Sequence, residues 1–287
     1  MQHADPHFNT FSGISFDYHG ECDLVMLSSP SFASGSGLSV HIRTTRMDGR
    51  LLSYSYISGA AVGIGNDVLE VQQDGNLFVN GKRHAFDVSP PNEFATYPFT
   101  KNVIGKKKRI VQYVLNLTDT NIAGTQDIPK DLDTMISPMV ITIHANLKTH
   151  MLFVKIDGDI YDGIGLLGSP LSGNRLLGRD GITDMSKDWN KYGEEWQVRN
   201  KEQKLFREHR APQYPDICIY HVSDDYPSKK NNNLRRRLLD EDDISMVTKE
   251  AANYACAGFV GVNKDNCVHD VMIVGDLEIA EDPSYGI

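Results

Sequence analysis

Apolar and polar residues alternate in short runs through much of the chain. Leu38, Val40 and Ile42 stand against Ser39, His41 and Arg43, a period of two that predicts a half-buried β-strand over 38–46. The same reading gives strands over 23–29, 53–65, 67–72, 76–81 and 82–88, then over 110–117, 139–147 and 150–156. Asp48-Gly49, Asn66-Asp67, Asp74-Gly75 and Asn80-Gly81 separate the earlier runs at hairpin intervals. The Pro-rich stretch 89–99 reads as a loop, and 118–138, which has no periodicity, as a long surface excursion. Near the start, Phe8, Phe11, Phe16 and Tyr18 supply aromatic mass around a Ser12-Gly13 turn. Phe16 and Tyr18 fall on one strand face and Asp17, His19 and Glu21 on the other.

Past residue 246 the period changes. Ala252, Cys256 and Phe259, and then Cys267, Val271 and Val274, recur at helical spacing, and Thr248 followed by Glu250 marks a helix start. So many strands without intervening helices predict a mainly β fold of stacked antiparallel sheets, with a small α-helical cap at the C-terminal end. The expected division is a β domain over 1–219, a charged linker over 220–245 and a two-helix cap over 246–287. In the linker, Lys229-Lys230, Arg235 to Arg237 and then Asp240 to Asp243 form blocks of like charge, the pattern of a solvated segment. The basic triplet also matches a protease site or a polyanion-binding patch.

Composition narrows the partners. The net charge of −9 and an ordinary 23% share of charged residues give no basis for expecting nucleic acid or an anionic membrane surface. No apolar run approaches the ~18–20 residues of a membrane span. Cys22, Cys218, Cys256 and Cys267 are an even but sparse set without a Cys-x-x-Cys, which removes the simplest zinc and thioredoxin-like readings. Cys256 and Cys267 lie close together on two predicted helices, so their pairing is the first expectation. A loop of that size stabilises by about 3 kcal/mol in the chain-entropy account. Four cysteines allow three connectivities, and buried free thiols in a cytosolic protein are the alternative.

Candidate chemistry is thin. Asp17, His19 and Glu21 would present metal-binding groups from one strand face, the basis for reading the chain as a metal-dependent hydrolase or oxidase; an outward polar face gives the same alternation. Gly163-x-Gly165-x-x-Gly168 follows a strand, but Pro170 and the loop composition after it leave no helix N-terminus for a pyrophosphate, so it reads as a turn. Asp157, Asp159 and Asp162 start like an EF-hand loop, yet Asp162 stands where glycine is needed and no glutamate closes the loop. There is no Gly-x-Ser-x-Gly elbow, His-Glu-x-x-His helix or P-loop. Asn116-Leu117-Thr118 is an N-glycosylation sequon.

Two separated stretches resemble one family. The opening Asp5-Pro6-His7-Phe8, Thr10-Phe11 with Gly13, and Gly20-x-Cys22 resemble the start of the von Willebrand factor type D domain. Ala4 and Ser12 stand where that family usually has Gly and Asp. Further on, Gly165, Leu166, Gly168, Tyr192, Gly193, Trp196 and Val198 are similar to the family's second signature, with Leu167 at its usual Cys and Ser169 at its usual Asn.

The resemblance implies a β-sandwich of the type D kind. It implies a non-enzymatic extracellular or secreted module for adhesion, matrix or assembly, which binds protein or glycan partners. A homo-oligomer, or a place within a larger multidomain chain, would be ordinary for such a module. Because the first signature begins almost at Met1, the chain is expected to be a piece of a longer secreted protein. With Leu167 at the usual cysteine, the family disulfide cannot form, and Cys218 becomes the candidate partner of Cys22. The same resemblance makes calcium a possible ligand, held by Asp5 with Asn174, Asp180 and Asp184 as nearby oxygen donors.

Overall fold

The structure, a computed structural model, describes all residues except 1–5, 47–54, 105–108, 118–138, 159, 161, 171, 211, 221–246 and 282–287. The chain divides into two units, one formed by Asp5–Arg46 with Ser55–Ile219 and one that includes Tyr220–Ile287.

The first unit is built on two antiparallel sheets. Six strands lie in chain order: β4 (Asp23–Ser29), β5 (Leu38–Arg46), β6 (Ser55–Ile64), β7 (Asp67–Gln72), β8 (Leu77–Val79) and β9 (Lys82–His84). Five more make the second sheet, again in chain order: β10 (Glu93–Phe94), β11 (Tyr97–Ile104), β12 (Ile110–Leu117), β13 (Met139–Asn146) and β14 (Met151–Asp157). Ahead of them stand the hairpin of β1 (His7–Asn9) with β2 (Ser15–Asp17) and the short β3 (Gly20–Glu21).

Alternation explains which side faces the core. Val40 pairs with Val62 and Val62 with Leu69, while Ile42 pairs with Ala60 and Ala60 with Val71; all six are buried. On the other sheet Tyr113 pairs with Ile143 and Leu115 with Ile141, also buried, and the Tyr113 hydroxyl donates to the Gly75 carbonyl at 2.7 Å. Burying a large apolar side chain stabilises by roughly 1.5–3 kcal/mol, so these inner faces carry the fold.

The second unit is helical among its described residues: α2 (Lys249–Ala255), α3 (Gly261–Val274) and a 3-10 turn (Leu277–Glu281). Thr248 caps α2 by accepting from the Ala251 N–H at 3.2 Å, and Gly275, at φ +70°, ends α3 in the left-handed conformation that glycine adopts without strain. Cys256 and Cys267 are bonded, and both are fully buried with Ala252 and Val271.

Three local expectations change. The stretch 89–99 is not all loop: β10 lies within it and β11 begins at Tyr97. The strand expected over 82–88 stops at His84. Asp17, His19 and Glu21 do not share one strand face, because β2 ends at Asp17 and β3 begins only at Gly20. The Asp48-Gly49 turn, the excursion 118–138 and nearly all of the charged linker lie outside the described residues.

Candidate functional site

The two signature stretches meet along β4, whose outer edge would otherwise expose a row of unpaired backbone groups. Ser28 and Ile164 exchange backbone hydrogen bonds at 2.7 and 2.9 Å, and the Leu166 and Leu167 N–H groups donate to Val25 and Met26. The register of β4 against β5 shifts between Val25 and Leu27, an irregularity that presents the Met26 carbonyl to this turn. Gly165 is required there, since a Cβ would stand 2.4 Å from the Met26 oxygen. At the other end of the strand, Val25 donates to the Trp196 carbonyl at 2.7 Å and Val198 to the Asp23 carbonyl at 2.9 Å. Phe11 of the first signature donates directly to the Leu167 carbonyl at 3.0 Å.

An aromatic column ties the same elements together. Phe8 stacks on Phe16 at 5.2 Å between centroids, Phe16 meets the edge of Tyr192 at 5.3 Å, and Tyr192 meets Trp196 at 6.4 Å. Tyr192 lies on α1 (Trp189–Glu195), a short helix capped by Asp188, and its hydroxyl donates to the Gly165 carbonyl at 2.8 Å. Burial lifts the Tyr192 phenol well above its ordinary pKa. Arg179 covers Trp196 at 4.8 Å while donating to the Glu195 and Gln197 carbonyls and pairing with the Glu202 carboxylate. Sequence reasoning missed this arginine, because nothing in the local pattern distinguishes Arg179 from any loop cation.

A disulfide closes the arrangement. Cys22 is bonded to Cys218 across a sequence separation of 196, and both are buried. Leu167, which stands at the usual cysteine of the second signature, is buried, 5% exposed.

The segment leading to Cys218 also covers the outer face of the six-stranded sheet. Leu205 and Phe206 pack over Ala61, and a Cβ added to Gly63 or Gly59 would meet Leu205 Cδ2 at 2.7 Å or Phe206 Cε1 at 3.2 Å. Arg43 lies over the Phe206 ring at 4.3 Å, held by Asp23 through Nε at 2.6 Å and Nη2 at 2.8 Å. Arg207 covers Phe78 and pairs with the buried carboxylate of Glu70 at 3.3 Å. A small groove beside this contact is lined by Asp23, His41, Gln197, Lys204, Phe206 and His209. Burial first, and the Arg179 charge second, push the His41 imidazole down to about 3, so it is neutral at physiological pH, and its Nδ1 has no hydrogen-bond partner among the described residues.

The residues singled out from sequence fare differently. Asp17 accepts from His7 Nδ1 at 2.6 Å across the β1–β2 hairpin, and among the described residues Asp17, His19 and Glu21 form no convergent metal-binding set. Asp5 lies outside the described residues. Asp180 accepts from the Ile182 and Thr183 N–H groups and from the Thr183 hydroxyl, which hold its carboxyl down to about 2. Asp184 likewise accepts from the N–H and hydroxyl of Ser186, and these bonds lower its pKa. Both cap turns of their own loop, and Asn174 is exposed nearby in sequence. As placed, Asp180 and Asp184 belong to no convergent cluster among the described residues, so a calcium ion would have to take them from their turns. Asn116 sits half-buried on β12, opposite Val140.

The molecule so defined is an antiparallel β module with a capped edge strand and a disulfide tying its first strands to its last segment, followed by a separately stapled helical unit. The chain belongs to the von Willebrand factor type D domain family, whose profile matches residues 2–151. The second signature stretch lies beyond that match, joined to it through β4. No curated protein matches the chain.

Proposed function

We infer that the protein acts as a non-enzymatic extracellular module for adhesion, matrix building or assembly, and that it works by binding protein or glycan partners. Family membership carries the reading, since the family is generally one of non-enzymatic extracellular modules. Two disulfides with no free cysteine fit an oxidising compartment, where such bonds persist. Asn116 is a candidate glycan carrier on the half-exposed side of β12.

Calcium enters the proposal at one place. Asp5 would supply a carboxylate, with Asn174, Asp180 and Asp184 as the further oxygen donors that family resemblance implies. Calorimetric titration of the parent chain beside Asp5→Ala reads this directly: a heat in the parent alone is expected, and equal heats remove the site.

Binding itself is tested by passing the secreted, disulfide-intact chain over immobilised extracellular-matrix proteins and a glycan array. Saturable retention on a defined subset is expected. Turnover of a substrate, lost on Asp17→Ala or Glu21→Ala, would instead favour the metal-dependent enzyme.

A further inference from the structure

The segment from Gln203 to Arg210 holds to the sheet in an unusual manner. Among the described residues it forms no backbone-to-backbone hydrogen bond with any strand beneath it. Its ties to the sheet among the described residues run through side chains: Leu205 and Phe206 on the Gly59-Ala61-Gly63 stripe, Gln203 Nε2 to the Gly65 carbonyl at 3.4 Å, Arg207 on Phe78 with its side chain and backbone N–H on the Glu70 carboxylate, Arg210 Nη1 to the Thr45 hydroxyl at 3.0 Å, and Arg43 to the Glu208 carbonyl at 2.7 Å. The stripe and its charged flanks belong to β5 through β8, whose ladders are complete without the segment. Lifting it off therefore breaks no ladder, and the groove it leaves fits this same sequence from any source.

What holds the segment at its two ends decides whether it can leave. Downstream, the ties are the Cys22–Cys218 disulfide and the short strand that starts at Ile219, which pairs with β3 and would re-form that pairing on a second copy. Upstream, the chain turns at Arg199–Glu202, closed by the Glu202 N–H donating to the Arg199 carbonyl at 3.0 Å and by the Glu202 carboxylate accepting from the Arg199 N–H at 2.6 Å. Straightening one such turn redirects the strap without disturbing either partner surface, which is the low-cost route to exchange between identical chains.

We propose that Gln203–Arg210 is an exchangeable strap, and that two copies of this chain pair by each laying its strap on the other's Gly59-Ala61-Gly63 stripe, with Cys22 of one copy bonded to Cys218 of the other. The occupant is a second copy because the stripe already matches this strap in shape, through the missing side chains of Gly59 and Gly63, and in charge, through Glu70 against Arg207. Covalent closure is ordinary thiol–disulfide exchange. A Cys22 thiolate attacks glutathione disulfide and releases one glutathione thiolate; the Cys218 thiolate of the second copy then displaces the other, so each protein disulfide formed reduces one glutathione disulfide. The inference does not depend on which extracellular partner the module binds.

The test mixes unlabelled and nitrogen-15-labelled full-length chains, reduces and denatures them together, and refolds them at high concentration in a glutathione buffer. Size fractions are then digested without reduction. A dimer containing a light Cys22 peptide joined to a heavy Cys218 peptide is the expected result. Monomer in every fraction, or a dimer in which all Cys22–Cys218 pairs carry one label, overturns the proposal. Lys201→Pro, which places proline at the third position of the closed turn, where it is disfavoured, is expected to raise the dimer share several-fold, and an unchanged share would count against the hinge.

Discussion

The ring of Tyr18 occupies the space that a side chain on Gly193 would need: a Cβ built there stands 2.0 Å from Tyr18 Cδ2. Tyr18 belongs to the first signature stretch and Gly193 to the second, so this one contact joins the segments that define the family resemblance. Tyr18 is fully buried, and its hydroxyl lies 3.7 Å from Cys22 Sγ. Gly193→Ala should therefore cost at least the upper end of the ~1–3 kcal/mol typical of overpacking. Gly13→Ala is the comparison, because its Cβ meets nothing within 4 Å and only its φ of +79° penalises a side chain, at about 1 kcal/mol. Urea midpoints of the two variants measure the difference, and equal losses would show that the Tyr18 contact is not tight.

The strap contact predicts a similar asymmetry on the outer sheet face. Gly63→Val puts branched carbon against Leu205, whose Cδ2 is already 2.7 Å from an added Cβ. Proteolysis within 203–210 should accelerate in this variant, whereas Gly81→Ala, with open space around it, should leave the cleavage rate unchanged. An intact strap in Gly63→Val would mean that Leu205 has room to move.

Much of the β framework was legible because its faces differ in polarity. β12 buries alternate residues in step with its sequence pattern and β13 does so from Met139 to Ile143, whereas β5 buries its polar His41 and Arg43 as well as Val40 and Ile42, because the 203–210 segment covers its second face. β11 escaped notice since Pro98 lies in it and Thr100, Asn102 and Val103 are exposed, which erases the period of two. α1 was missed because it is only seven residues long and contains Gly193. The strap was hidden because Leu205-Phe206 is a short apolar pair within a charged run; the signal lay instead in Gly59-x-Ala61-x-Gly63, a stripe too bare to face solvent without a cover. Cys218 as the partner of Cys22 was legible as the pair left once Cys256 joins Cys267, and the family resemblance, with Leu167 at the usual cysteine, points to the same partner; spacing alone leaves three pairings open.

His41 predicts an acid-sensitive β unit. Its folded-state pKa, about 3, lies below the ordinary 6.5, so between those values the unfolded chain binds the extra proton. Stability is full above pH 6.5 and falls as the pH drops towards 3, with a slope of up to about 1.4 kcal/mol per pH unit from this one group. Chemical denaturation from pH 7 to 4 should show the decline, and His41→Gln should flatten it. A slope unchanged in the variant would assign the acid sensitivity to other groups.

The helical unit depends on its own staple. Cys256 and Cys267 are 11 residues apart in sequence, and replacing both with serine should remove about 3 kcal/mol from that unit. Helical circular dichroism should then melt earlier, while the near-ultraviolet signal of buried Trp196 in the β unit keeps its midpoint. A common shift of both signals would contradict separate stapling.

The extracellular assignment is tested most directly by the thiol state of the protein taken from its source, alkylated before any denaturation and then unfolded, alkylated again with a second reagent and mapped without reduction. The account predicts no alkylated cysteine of either kind and two linked peptide pairs, Cys22 with Cys218 and Cys256 with Cys267. Four alkylated thiols would contradict it and return the chain to a reducing compartment.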